Sequence, residues 1–221
     1  MNIINTAPFL ADFFVDTEID MSIYEEYKAW LNQKSTLIGP FYKYITSSLH
    51  DSEIIGTDFS DNNFTLRLNH SCTELFANVI CERNAIDIDH KRLIFPVEIC
   101  FNKARFHYYK IAGNGQMRHV KPVKTDNYLG EQIISANDNG ISLGFVLWRY
   151  KPRGHFYLAI HAMSIEVNEL QESAWKSFFG ERHMDAYHYF QENFNTGLFL
   201  NNQTQCEILY DEFLINNLGH L

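Results

Sequence analysis

The strongest constraint on the fold of this chain is a series of strand and turn patterns in its middle third. Polar turn sequences at residues 113–115, 137–140 and 151–154 separate segments rich in β-branched and aromatic residues. Turn residues of this kind between such segments are typical of β-hairpins. The pattern predicts a five-stranded antiparallel meander over residues 104–164.

Two further regions have the pattern of strands. Residues 53–59 and 64–69 flank a polar turn and predict another hairpin. Residues 93–101 predict a strand in which Pro96 indicates an edge or a bulge, because proline cannot donate a hydrogen bond to a neighbouring strand.

Helical patterns lie on both sides of the predicted strands. Ile23, Tyr27, Trp30 and Leu31 have the spacing of one helix face, which predicts an N-terminal helix. By the same reasoning, further helices are predicted over residues 71–81, 168–179, 184–194 and 204–217.

These elements together predict an α+β fold. The prediction is an antiparallel β-meander of about five to seven strands with an N-terminal helix and a C-terminal helical layer. We expect one domain over residues 1–221, β-rich over about 50–165 and helical over about 166–221.

The charge of the chain inverts in the same middle segment. Residues 103–153 contain nine Lys or Arg and three Asp or Glu, a net charge of +6, although the whole chain carries −9. Such an inversion indicates a polarised surface, a basic face that meets an anion, or segments that pair within the fold.

Composition excludes several classes of protein. The acidic N-terminal region does not resemble a secretory signal, and no apolar run approaches the length of a membrane helix, which predicts a cytoplasmic protein without membrane contact. The four cysteines are widely spaced and are predicted to be reduced thiols. No zinc-binding, nucleophile or phosphate-loop motif is present, so no metal, cofactor or catalytic residue is predicted.

The third predicted hairpin offers the best candidate binding surface. With the turn tip at residues 152–153, Tyr150 faces His155 and Trp148 faces Tyr157. Aromatic side chains with polar tips beside basic residues are suited to anchoring a partner, and the neighbouring basic residues are Arg149 and Arg153. Alternatively, the acidic C-terminal helices cover this face, and Trp148 is then a core residue.

The first predicted hairpin is basic on both faces. Lys110 and Lys121 are predicted on one face, and Arg105 and Arg118 on the other. Alternating basic and aromatic residues are typical of surfaces that track a nucleic-acid backbone, but also of a well-solvated sheet edge. The acidic net charge argues against a dedicated nucleic-acid binder.

One local sequence resembles known families. Leu49-His50-Asp51-Ser52 followed by the hairpin up to residue 68 is similar to the opening of several small uncharacterised bacterial families. Some members of these families are regarded as immunity proteins encoded beside secreted toxins, so the resemblance implies a protein that neutralises a toxin. From the residues themselves, His50, Asp51 and Ser52 are predicted to form a structural turn.

Three functions remain open from the sequence, and one of them is a structural subunit of a larger assembly that buries its aromatic surface against copies of itself. The other two are binding functions or an enzyme. The first is a protein-binding module with a protein partner, such as an immunity protein, whose acidic surface would attract a basic toxin. The alternative is an enzyme or a binding domain for an anionic ligand or a nucleic acid, which would use the basic aromatic meander over residues 103–153. The absence of a catalytic motif favours binding over catalysis, and the sequence does not determine an oligomeric state.

Overall fold

Eight α-helices lie in the described residues of the protein. The computed structural model describes residues 2–11, 21–47, 49, 52–60, 62–87, 93–194 and 203–218. The helices are α1 (Ile3–Thr6), α2 (Pro8–Ala11), α3 (Met21–Ile38), α4 (Phe41–Ser47), α5 (Ser71–Arg83), α6 (Gln171–Phe179), α7 (Met184–Phe194) and α8 (Gln203–Leu218).

The strands form one antiparallel sheet, which confirms the predicted α+β class. Within the described ranges, nine strands take part in the order β5-β4-β8-β7-β6-β1-β2-β3-β9. The strands are β1 (Glu53–Ser60), β2 (Asn63–Asn69), β3 (Pro96–Asn102), β4 (Arg105–Ile111), β5 (Met117–His119), β6 (Asn127–Asn137), β7 (Gly140–Tyr150), β8 (Arg153–Ala162) and β9 (Ser164–Glu169).

The sheet closes on itself through two bent strands. Only two residues separate β3 from β4, and Met163 alone separates β8 from β9. Asn102 pairs with Ser164 and Arg105 pairs with His161, so β3·β9 and β4·β8 share one register on both sides of the bend. The ladders β3·β9 and β4·β8, which lie at opposite ends of the strand order, are therefore two halves of one continuous ladder. The sheet is thus closed, and its inner face surrounds the protein interior.

Helices α3 and α4 fill one part of this interior. Phe41 is fully buried at the start of α4 and packs edge-on against Phe101 of β3 and Phe145 of β7. Leu31 is buried in the same core, and Tyr27 and Trp30 pack against it. Three of the four residues predicted to share one helix face therefore pack on the sheet interior, and the side chain of the fourth, Ile23, lies outside what the structure describes.

The C-terminal helices build a second core beside the sheet. Side chains of α6, α7 and α8 pack around α5 and the residues that precede β3, with Phe76, Phe95, Trp175 and Phe190 buried at the centre. These helices form the predicted C-terminal layer. Their core contains no residue of β4, β7 or β8 among those described, so this layer does not fill the aromatic face of the basic segment.

The outer face of β7 and β8 is covered instead by the N-terminal residues. Ile3, Ala7 and Leu10 form a third cluster with Val146 and Tyr157. The backbone N–H of Ile3 donates a hydrogen bond of 3.0 Å to the carbonyl of Gly115 in the β4–β5 turn, which ties α1 to the sheet.

Two element boundaries differ from the sequence prediction. The helix predicted from residue 168 begins at Gln171, because residues up to Glu169 pair with β3 as strand β9. Pro96 is the first residue of β3, which lies between β2 and β9 and is not an edge strand. A proline is tolerated at a strand's first position, because few ladder hydrogen bonds depend on its nitrogen there.

Candidate functional site

The hairpin β7–β8 is shifted by two residues from the predicted register. Trp148 pairs with His155 and Tyr150 pairs with Arg153, so the predicted pairs Tyr150–His155 and Trp148–Tyr157 are wrong. The reason is a tight connection of only Lys151 and Pro152. A shift by two keeps every side chain on its predicted face, because side chains alternate with a period of two.

Three of the four predicted aromatic residues form a cluster at the tip of this hairpin. The ring centroids of Trp148 and His155 are 4.4 Å apart, and those of Trp148 and Tyr150 are 6.2 Å apart. Tyr150 is 56% exposed, and Asp126 fixes its backbone by accepting a 2.7 Å hydrogen bond from its N–H. Partial burial lowers the pKa of His155, which favours the neutral ring.

The fourth aromatic residue, Tyr157, lies outside this cluster. Its side chain is fully buried under α1 and α2, and its hydroxyl has no hydrogen-bond partner among the described residues. The ring lies directly over Gly144, where a Cβ atom would come within 2.2 Å of the Tyr157 hydroxyl oxygen. Tyr157 is therefore a packing residue and is not accessible to a partner.

The hairpin β4–β5 distributes its basic residues differently from the prediction. Lys110 pairs directly with Arg118, so these two residues share a face and the predicted separation of Arg118 from Lys110 is wrong. The turn places residue 114 at the centre of the hairpin, and residues equally distant from that centre face each other. Arg105 is exposed at the start of β4, and Lys121 is exposed in the irregular segment after β5.

Among the described residues, the basic side chains of segment 103–153 have no acidic partners. In the described part of the chain, none of these nine Lys and Arg side chains has a carboxylate oxygen within the 4.0 Å of a salt bridge. Elsewhere, Arg67 pairs with Glu98 and Arg83 with Asp211. The segment therefore keeps its positive charge exposed, and its field is not cancelled by close counter-charges.

A cavity of about 580 Å³ opens beside this basic segment. It lies on the inner face of the sheet, between β1 and the irregular residues 122–125. Its walls are mainly apolar, and they include Ile54, Phe59, Phe64, Leu66, Phe106, Tyr108, Val123, Leu147 and Leu158.

The cavity opens where the closed sheet is weakest. Strand β1 pairs with β2 through seven residue pairs, but its ladder with β6 consists of the single pair Glu53–Asn127. Beyond that pair, residues 57–60 of β1 are exposed, and residues 122–125 lie across from them as a second wall. Strands β1 and β6 therefore diverge after this pair. The gap between them, which we call the β1–β6 seam, forms the mouth of the cavity.

Polar groups are few in the cavity and lie toward residues 122–125. The hydroxyl of Tyr108 donates a 3.3 Å hydrogen bond to the carbonyl of Val123. Burial raises the pKa of Tyr108 to about 12, although a hydrogen bond with Thr125 and the positive charge of Arg149 act in the opposite direction. Lys124 lines the mouth on this side, and exposed Asp58 lines it on the side of β1.

A half-buried carboxyl group lies elsewhere on the inner face, and no sequence pattern predicts it. A register shift after Tyr128 places Glu131 opposite Phe145, where its side chain accepts a hydrogen bond from the Tyr128 hydroxyl. Burial raises the pKa of Glu131 to about 7. The β-bulge that turns Glu131 inward leaves no clear sequence signal, because it interrupts the alternation only once.

The predicted turn at residues 49–52 is described only in part. His50 and Asp51 lie outside the described residues. Ser52 is buried; its carbonyl accepts a hydrogen bond from the Tyr128 N–H, and its hydroxyl accepts one from the Ser71 N–H. Ser52 therefore joins β6 to the start of α5, which is a structural role.

Three further observations concern known proteins, metal sites and membrane helices. No family model, curated protein or solved structure matches this chain. Across the described ranges, no three His, Cys, Asp or Glu residues are grouped closely enough to hold a metal ion. In the same ranges, every helix is too short or too polar to cross a membrane.

Proposed function

We propose that the protein binds an anionic ligand at the basic segment 103–153. The observation that carries this proposal is the set of nine Lys and Arg side chains in that segment without salt-bridge carboxylates among the described residues. Surfaces that leave like charges unpaired attract oppositely charged ligands and accelerate their association. The chain as a whole is acidic, so this field is local and directs the ligand to one region.

Aromatic side chains add a second contribution to this surface. Trp148, Tyr150 and His155 lie on the outer face of the hairpin β7–β8 together with Arg153, whereas Arg149 lies on the inner face of the same hairpin. Cations beside accessible aromatic rings are suited to ligands that combine a negative charge with an apolar or planar part. We therefore expect both electrostatic and apolar contributions to affinity.

A charge-reversal experiment tests this proposal. We expect the double variant Arg149→Glu and Arg153→Glu to bind the anionic fluorophore 1-anilinonaphthalene-8-sulfonate at least about tenfold more weakly, measured by fluorescence titration at two salt concentrations. The single variant Arg182→Glu, at an exposed position among the C-terminal helices, is the control. Equal affinity of the double variant and the wild type would contradict the proposal.

A protein-binding function is the second candidate. Tyr150 is 56% exposed beside Trp148, and exposed aromatic residues at a hairpin tip are typical anchors of protein interfaces. In this proposal the protein acts in the cytoplasm, and a toxin neutralised by an immunity protein is one such partner. A stoichiometric partner captured from a lysate of the native host by the wild type, but not by Trp148→Ala, would support it.

A further inference from the structure

We infer that the cavity at the β1–β6 seam binds the alkyl chain of an anionic amphiphile, with its carboxylate at Lys124 and Arg149. This inference rests on the proposed anion-binding function and specifies the ligand class. The cavity lies on the inner face of the sheet, Lys124 lines it, and Arg149 follows Leu147 on the same face of β7. The apolar walls and these two cations each match a different half of such a ligand.

The walls of the cavity fit an alkyl chain. Leu66, Leu147 and Leu158 are buried side chains of three different strands that line it. Phe59, Phe64 and Phe106 close one side, with the ring centroids of Phe59 and Phe106 5.0 Å apart. A volume of about 580 Å³ lies within the range of small-molecule sites, about 300–1,000 Å³. Filling this volume with methylene groups removes apolar surface from water.

The cations define where the head group lies. Lys124 lines the mouth, and the charge of Arg149 acts on the Tyr108 hydroxyl, which lines the same cavity. Neither cation has a salt-bridge partner among the described residues. Asp58 is the acidic residue of the opposite rim, and it repels a carboxylate toward the side of Lys124.

Other ligands use only part of this arrangement. A small inorganic anion contacts the cations but leaves the apolar walls without an occupant. A neutral alkyl alcohol fills the walls but leaves the cations unpaired. An amphiphile with a carboxylate and one alkyl chain matches both, and the gap between β1 and residues 122–125 gives it a route of entry.

Titration calorimetry with three probes tests the ligand class. We expect decanoate, used below its micelle concentration, to bind the full chain with a stoichiometry of one. We expect 1-decanol and inorganic phosphate each to bind at least about tenfold more weakly, because each lacks one half of the interaction. Decanoate binding no tighter than decanol or phosphate would overturn the inference.

Two pairs of variants locate the site. Thr57 lies opposite Leu66 on the inner face and lines the cavity, so Thr57→Trp would obstruct the space for the chain. Thr65 lies on β2, outside the cavity lining, so Thr65→Trp is the matched control. For the head group, Lys124→Glu is compared with Arg182→Glu. We expect the first member of each pair to weaken decanoate binding at least tenfold and the second to change it less than twofold.

The outcomes separate this inference from the proposed function. Thermal unfolding of each variant first establishes that it is folded. In one outcome, decanoate does not bind, but the sulfonate fluorophore binds and its affinity falls when the charges of Arg149 and Arg153 are reversed. The inferred amphiphilic ligand is then wrong, and the proposed anion-binding function stands. If the wild type binds neither anion, both proposals fail. If decanoate binds with equal affinity to the wild type and Thr57→Trp, the cavity is not its site.

Discussion

The interior of the closed sheet has two parts that differ although the same strands build them. Around Phe41, helices α3 and α4 fill the space between the strands, and the nearby cation Lys43 pairs with Glu169 at 3.0 Å. Around Leu147 and Leu158, no helix of the described residues fills the space, and a cavity remains. In the same described region, Lys124 and Arg149 lack salt bridges. The difference indicates that the first part provides stability and the second is available for binding.

The largest expected effect comes from removing a ring from each part. Phe41→Ala should lower the free energy of unfolding by about 3–5 kcal/mol, because a fully buried ring leaves a cavity that its neighbours cannot fill. Phe106→Ala should cost about 1–2 kcal/mol, because Phe106 is half-buried and already borders empty space. Urea denaturation measures both, and equal losses would contradict the division of the interior into filled and open parts.

A second comparison adds atoms instead of removing them. Gly144→Ala should destabilise the fold by about 1–3 kcal/mol, because the new Cβ atom would meet the Tyr157 hydroxyl oxygen at 2.2 Å. Gly56→Ala, in the cavity wall, should change stability by less than about 0.5 kcal/mol, because the nearest atom is the Arg67 Cβ at 3.8 Å. Thermal unfolding of the two variants gives the comparison directly, and a milder effect at Gly144 would show that the Tyr157 ring moves freely.

Much of the fold follows from local sequence patterns, whereas its closure does not. The hairpins β1–β2, β6–β7 and β7–β8 are predicted because their turns and alternation are local. The bend between β3 and β4 contains Lys103 with a φ of 50°, a conformation that sequence patterns assign to Gly or Asn. Because sequence patterns do not predict this bend, they do not predict the pairing of β4 with β8 either.

The candidate site is predicted less completely than the fold. The basic residues and the cluster of Trp148, Tyr150 and His155 are identified from composition and alternation. The cavity is not, because its walls come from β1, β2, β4, β7, β8 and residues 122–125, which are distant in the chain. The exposure of Tyr157 is also mispredicted, since residues 2–11 cover it and nothing in β8 indicates that cover.

The pH dependence of stability tests the filled part through Glu131. Burial raises its pKa to about 7, whereas an unfolded chain releases the proton near pH 4.3. Between these two pH values, the folded protein holds a proton that the unfolded chain has lost. The contribution of Glu131 to the free energy of unfolding is therefore fully present below about pH 4.3 and is lost as the pH rises through 7. We expect a loss of about 1 kcal/mol, because Glu131 keeps some contact with solvent. Glu131→Gln should flatten this profile, and an unchanged slope would assign it to other groups.

The smallest expected effect concerns single charges outside and inside the basic segment. Arg67 donates a 3.1 Å hydrogen bond from its Nε to Glu98, and this pair lowers the pKa of the Glu98 carboxyl. Arg67→Ala should therefore cost about 0.2–1 kcal/mol, the usual range for a surface ion pair. Arg105→Ala should leave stability unchanged, because Arg105 is exposed without a salt bridge among the described residues. Urea denaturation at low and high salt measures both variants. A salt-sensitive loss of stability in Arg105→Ala would mean that the basic segment contributes to folding. The positive charge of the segment would then be explained without a ligand.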